Sequence, residues 1–227
     1  MRTLRKGLLA LGFAGLMYAM PAMAQKKEAK LGWKLGAQAY SFNRFTLAEA
    51  LDKLDSCGLK YVECYPGQTI GGGIEGKMDF KMDAAKRAQV LNLLKSKNKT
   101  LVAFGVVSPN SEADWEQLFA FAKAMGIQII TSEPRTGDLD IVSRLAGAYK
   151  IKVAIHDHPR PSHYWHPDSV ANAIKGRSKY LGACADIGHW VRSGLDPVEC
   201  MKTSHSSGDP SRLTTFFYPS FLHTRRS

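Results

Sequence analysis

A chain of 227 residues with 44% hydrophobic and 22% charged side chains has apolar content for one full-sized core, which excludes a disordered or low-complexity protein. Its formal charge of +11 comes from lysines scattered over predicted helix surfaces rather than from a basic block, so a nucleic-acid partner is not indicated. The four cysteines, at 57, 64, 184 and 200, show neither C-x-x-C nor zinc-ligand spacing and read as buried free thiols.

Arg2, Arg5 and Lys6 precede an apolar run over residues 7–20, and Ala22-Met23-Ala24 is a small-x-small cleavage site. The run is too short for a spanning helix. Residues 1–24 are expected to be a Sec-type signal peptide. Gln25, not a cysteine, follows the site, so no lipid anchor is expected. Removal takes away three of the eleven net positive charges and leaves 203 residues, 25–227, in the periplasm or outside the cell, with no membrane attachment.

From Leu31 onward short apolar strands alternate with amphipathic helices. A strand over 35–40 precedes Thr46-x-x-Glu49, a capping box for a helix with Leu47, Ala50, Leu51 and Leu54 on one face. A strand over 61–65 is followed by a loop over 66–82 and a helix over 83–97. After a strand over 100–107, Ser111-x-x-Asp114 caps a helix in which Trp115, Leu118, Phe119 and Ala122 recur at helical spacing. A strand over 128–132 ends in Glu133-Pro134, and a helix over 139–149 buries Leu139, Val142, Leu145 and Ala146.

Residues 150–159, KIKVAIHDHP, form the next strand. Its apolar run suits burial on both faces of a parallel sheet, and Pro159 stops it behind His156, Asp157 and His158. Pro167 and Asp168 start another helix. A sixth strand over 180–187 runs into Asp186-Ile187-Gly188-His189-Trp190, and Asp196-Pro197 starts a short helix to about Lys202.

Six β-α units in this order argue a parallel α/β fold. A TIM (β/α)8 barrel has eight units, so the expectation is such a barrel, incomplete, over 25–202. Residues 203–227 mix Ser, Pro, Thr, Arg and aromatics without helical or strand period and are expected to be an irregular tail, as a C-terminal truncation would leave. An open barrel edge would favour association between copies of the chain.

Three consecutive strands thus end in groups that bind metals or move protons: Glu133, then His156/Asp157/His158, then Asp186 and His189. Strand ends converge on one rim in a parallel barrel. A mixed N/O donor set suits Mn²⁺, Zn²⁺, Co²⁺ or Fe²⁺ better than Mg²⁺. Side chains alternate along a strand, so either the histidine pair or Asp157 faces the barrel axis. We favour His158 as a metal ligand and His156 beside the substrate. Tyr40, Tyr65, Trp165 and Trp190 are candidates to stack on a sugar ring. Gly71 to Gly76 formally matches G-x-G-x-x-G, but no helix opens on it, so a flexible rim loop is expected there instead of a dinucleotide site.

The segments TSEP, VAIHDHPRPSHYWHPDSV and GACADIGHWVRSGLDPVEC, with AQAYSF and ECYPGQ, resemble the xylose-isomerase-like TIM barrel superfamily, and within it exported sugar phosphate isomerase/epimerase proteins. The resemblance spans residues 31–201. It implies a divalent cation on Glu133, His158, Asp186 and His189, with Glu133 assisting proton transfer; His156, placed beside the substrate by the strand reading, is the second catalytic candidate. The implied activity is sugar isomerisation or epimerisation by proton transfer next to a carbonyl, through an enediolate. Export points to an unphosphorylated sugar or keto-sugar. The family continues into further strands bearing another histidine and a last glutamate, which this chain lacks after Thr203. The alternatives are a keto-sugar lyase or hydratase of the same superfamily, and an inactive sugar-binding barrel fragment. Apurinic endonucleases share the superfamily, but the signal peptide speaks against a DNA substrate.

Overall fold

A computed structural model describes residues 33–206 and 213–214. The proposed signal peptide and most of the tail lie outside these residues. No helix among the described residues is long and apolar enough to cross a membrane.

The main sheet is parallel. Its strands are β1 (Gly36–Gln38), β2 (Tyr61–Cys64), β5 (Thr100–Phe104), β6 (Ile129–Ser132), β7 (Lys152–His156), β8 (Leu181–Cys184) and β9 (Leu213–Thr214), neighbours in that order. Between β2 and β5 a separate hairpin joins β3 (Thr69–Gly71) to β4 (Ile74–Lys77). Helices α1 (Leu47–Ser56), α2 (Ala84–Ser96), α3 (Glu112–Ala124), α4 (Leu139–Tyr149) and α5 (Pro167–Ile174) follow β1, β4, β5, β6 and β7. A short α6 (Ile187–Arg192) and α7 (Pro197–Ser206) follow β8. This is the incomplete TIM-type α/β architecture, with six β-α units; among the described residues β1 and β9 do not pair with each other.

The helices form where the sequence signals them. At α1, Thr46 Oγ1 accepts from the Glu49 amide while Glu49 Oε2 accepts from the Thr46 amide at 2.8 Å, and Leu47, Ala50, Leu51 and Leu54 are fully buried. Ser111 caps α3 by a single bond, its Oγ accepting from the Asp114 amide at 3.2 Å, with Trp115, Leu118, Phe119 and Ala122 buried. Helix α4 has the predicted bounds and the four predicted core residues. Lys150 follows it in the left-handed region, at φ 56°. At α5 the cap is an imidazole: His166 Nδ1 accepts from the Asp168 amide at 3.2 Å.

Several expectations change. The first strand stops at Gln38, because Ala39–Phe42 turns into a 3-10 helix. The expected loop over 66–82 contains the β3–β4 hairpin, and the glycine run is its turn, not a flexible rim loop. Gly72 and Gly73, at φ 62° and 82°, supply the two positive φ values that a tight two-residue hairpin turn needs. The sixth strand ends at Cys184, since Asp186 caps α6. Helix α7 runs on to Ser206, beyond the bound set at 202: the Thr203 and Ser204 hydroxyls donate to the carbonyls of Glu199 and Cys200, so both residues are satisfied in a helix. The tail also supplies β9, paired parallel with β8 through Ala183–Leu213 and Cys184–Thr214. The cysteines are free thiols, but Cys57 is exposed and only Cys64, Cys184 and Cys200 are buried.

Gly105, just past β5, permits the close packing of β5 on β6: a Cβ there would lie 2.1 Å from the Thr131 carbonyl oxygen.

Candidate active site

Register decides which side chains meet. Ser132 pairs with Ile155, so the next residue, Glu133, falls beside His156. His156 pairs with Cys184, which places Asp186 beyond the same edge, level with His158. Three adjacent strands therefore deliver their polar ends to one spot on the rim.

The histidines of β7 face that spot together. His156 is buried, with Nδ1 3.6 Å from Glu133 Oε1 and Nε2 3.9 Å from Asp186 Oδ2. His158 Nδ1 pairs closely with the same Glu133 oxygen, and the His158 amide donates to it at 3.3 Å. His189 closes the group from α6, with Nε2 3.4 Å from Asp186 Oδ2. Ring centroids are 4.4 Å apart for His156–His158, 5.0 Å for His158–His189 and 5.5 Å for His156–His189. Each histidine has one ring nitrogen within 4.8 Å of the others, a group that could hold a metal ion. Glu133, His156, His158, Asp186 and His189 are thus brought together.

Asp157 faces away from the histidines, as strand alternation requires, and its Oδ1 accepts from the Asp186 amide at 2.8 Å. Asp186 Oδ1 in turn accepts from the Gly188 and His189 amides, capping α6 and leaving Oδ2 for the imidazoles. Asp186 is therefore both a helix cap and a member of the cluster.

The electrostatics divide the carboxylates. Burial pushes Glu133 up, but hydrogen bonds from His156 and His158 outweigh it and hold the carboxyl at about 2. His158 is raised in return by the same pairing. Burial pushes Asp157 to about 8, so it holds its proton near neutrality. Asp186 is raised by burial against the pull of its amide hydrogen bonds. His189 falls to about 3, through burial and then the adjacent Arg192 guanidinium, and stays neutral. Because a guanidinium only donates, the close Arg192–His189 Nδ1 contact makes Nδ1 an acceptor.

The aromatic candidates fare differently. Tyr40 and Tyr65 meet edge to face at 5.1 Å beyond β1 and β2, with no hydrogen bond, ion pair or ring contact to the histidines among the described residues. Trp165 has one face covered by the Arg160 guanidinium, 3.8 Å from the ring centroid. Trp190 does not offer a stacking face. It is buried against Ala185 and Cys200, because α6 turns its side chain under the rim.

Three residues went unrecognised as site members in the sequence. Ser162 Oγ donates to Glu133 Oε2 at 3.1 Å. Ser108 Oγ donates to the Glu133 carbonyl and accepts from the Glu133 amide, at 3.0 and 3.2 Å. Arg192 lies three residues after His189, a spacing that makes neighbours on a helix, and no helix was expected between the strand ending at 187 and Asp196.

The donor chemistry fits a divalent ion of the borderline class: imidazole nitrogens and carboxyl oxygens converge from separate elements.

No family model and no curated protein matches the chain. Among solved structures, an uncharacterized protein from Parabacteroides distasonis ATCC 8503 is 35% identical, with a TM-score of 0.69 over 80% of this chain and 72% of that one. A sugar phosphate isomerase/epimerase from the same organism gives a TM-score of 0.55 at 16% identity, over 79% of this chain and 72% of that one. A D-allulose 3-epimerase from Methylomonas sp. gives 0.61 at 10% identity, over 80% and 71%. The last two likenesses are likenesses of fold.

Proposed function

We propose that this chain, which shares its fold with a sugar phosphate isomerase/epimerase and a D-allulose 3-epimerase, is a metal-dependent isomerase or epimerase of the xylose-isomerase-like superfamily, working on an unphosphorylated sugar or keto-sugar in the periplasm or outside the cell. The observation that carries the reading is the convergence of Glu133, His156, His158, Asp186 and His189 on one rim.

Glu133, His158, Asp186 and His189 would hold the cation. When bound, it supplies Lewis acidity to the substrate carbonyl and the adjacent hydroxyl. The residues themselves set the rest of the chemistry. Glu133, held at about 2, stays ionised at all working pH values; that suits a ligand and makes it a weak base. His156 lies between Glu133 and Asp186, 3.6 and 3.9 Å from their carboxyl oxygens. It is the group we assign to take the proton from the carbon next to the carbonyl. Return to the neighbouring carbon gives isomerisation, and return to the opposite face gives epimerisation. Asp157 acts from behind by holding the amide of Asp186, which orients the Asp186 carboxylate and, through the α6 cap, His189. Tyr40 and Tyr65 are the aromatic faces left to border a sugar.

The test is Mn²⁺ titration of the full chain beside a Glu133→Ala, Asp186→Ala double variant, followed by incubation with keto-sugars in D2O. Binding by the wild type alone, with deuterium entering the carbon next to the carbonyl, is the expected outcome. Loss of water from the sugar would mark a lyase or hydratase. Sugar binding without exchange would mark an inert barrel, and absence of Mn²⁺ binding in the wild type would end the metal reading.

A further inference from the structure

Arg192 ends α6 on the rim beside the histidines. It is exposed, and among the described residues no carboxylate forms an ion pair with it. Its one close partner is an imidazole: an Nη donates to His189 Nδ1. A guanidinium has five N–H donors in a fixed fork, and the contact with His189 uses only one Nη. The other arginines of the described rim are occupied differently: Arg135 forks onto Asp138, and Arg160 lies on Trp165. Arg192 therefore places a positive charge, without a carboxylate of its own, at the lip of the cluster.

We infer that Arg192 is a specificity-determining residue that receives an anionic group of the substrate, so that the preferred sugar is an acidic one carrying a carboxylate. The inference rests on the sugar reading above and narrows it. A neutral sugar would leave the guanidinium with solvent only, whereas a carboxylate matches its planar fork with two parallel charge-assisted hydrogen bonds. One donor kept on His189 Nδ1 would hold the fork in place and tie anion recognition to an imidazole of the reacting cluster.

The experiment is calorimetric titration of the Mn²⁺-supplemented full chain with matched sets of hexoses and ketohexoses, their uronates and their 6-phosphates, in wild type, Arg192→Lys and Arg192→Gln. In the wild type we expect a uronate to bind about tenfold or more tightly than its neutral counterpart, as a charge-assisted pair warrants. Arg192→Gln removes the preference, so that uronate and neutral sugar bind alike, and Arg192→Lys keeps part of it. Equal wild-type affinity for acid and neutral sugars overturns the inference and leaves the sugar reading standing, whether or not the variants fold. Preference for the 6-phosphate over the uronate overturns the carboxylate assignment. Failure of every sugar to bind overturns both readings.

Discussion

Ser162 shows how much of this site depends on a residue that does no chemistry. Its hydroxyl holds Glu133 Oε2, while His158 and His156 approach Oε1, so the two oxygens are fixed in different roles. Ser162→Ala should leave the melting temperature unchanged and weaken Mn²⁺ binding about tenfold, the low end for loss of a group that orients a ligand; titration calorimetry reads it. Strand alternation alone shows that His156 and His158 share a side and that Asp157 opposes them, but not which side is the rim. That choice is made by the register of β7 between β6 and β8, a long-range property. Trp190 was misplaced for a related reason: no helix was expected between the strand ending at 187 and Asp196, and the helix that Asp186 starts turns the indole inward.

Among the elements, the helices were the legible part and the connections were not. Capping boxes and apolar faces are local, so α1, α3 and α4 could be read from Thr46/Glu49, Ser111/Asp114 and Leu139 to Ala146. Thr46→Ala should cost about 1 kcal/mol by removing the α1 cap, seen as a shift in denaturation midpoint. The β3–β4 hairpin hid inside a glycine run that formally matched a dinucleotide motif, although Gly72-Gly73 between two isoleucines also carries a hairpin signal. Gly105 was invisible because its need is set by a neighbour 26 residues away, Thr131. Gly105→Ala should destabilise by on the order of 1–3 kcal/mol, as overpacking does, with chemical denaturation as the measure.

At the scale of the whole molecule, charge pairs tie one β-α unit to another and, at Arg135–Asp138, brace the connection inside one unit. Lys99, nearly buried, reaches Asp55 at the end of α1; Lys81 reaches Asp114 of α3; Arg135 forks onto Asp138 before α4. Hydrogen bonds from these cations hold Asp55, Asp114 and Asp138 below the ordinary carboxylate range. A carboxyl whose folded pKa is lowered stabilises the fold above its unfolded pKa of about 3.9 and loses that contribution as pH falls through the folded value. In thermal melts the contribution of these three pairs should therefore be level from pH 7 to about 5 and fall below about pH 4, whereas Asp157, raised to about 8, adds stability as pH falls from 8 towards 5. Asp138→Asn should start from a lower melting temperature and show a shallower fall. The alternating order of elements and the barrel class were readable from the whole chain at once. Strand β9 was not, because Leu213-Thr214 has no period of its own and is defined only by its ladder with β8.

The donors of the site come from strands that are neighbours in the sheet and consecutive in the chain. Everything from Glu133 to Arg192, including Ser162 and the Asp157 prop, is therefore encoded in one uninterrupted stretch of gene. Such a stretch is a cassette. Recombination between barrels of this shape at 128 and 193 would move the proposed metal ligands and the proposed anion receptor together. Ser108, which holds Glu133 from outside the stretch, and the proposed sugar-bordering Tyr40 and Tyr65 would come from the recipient frame.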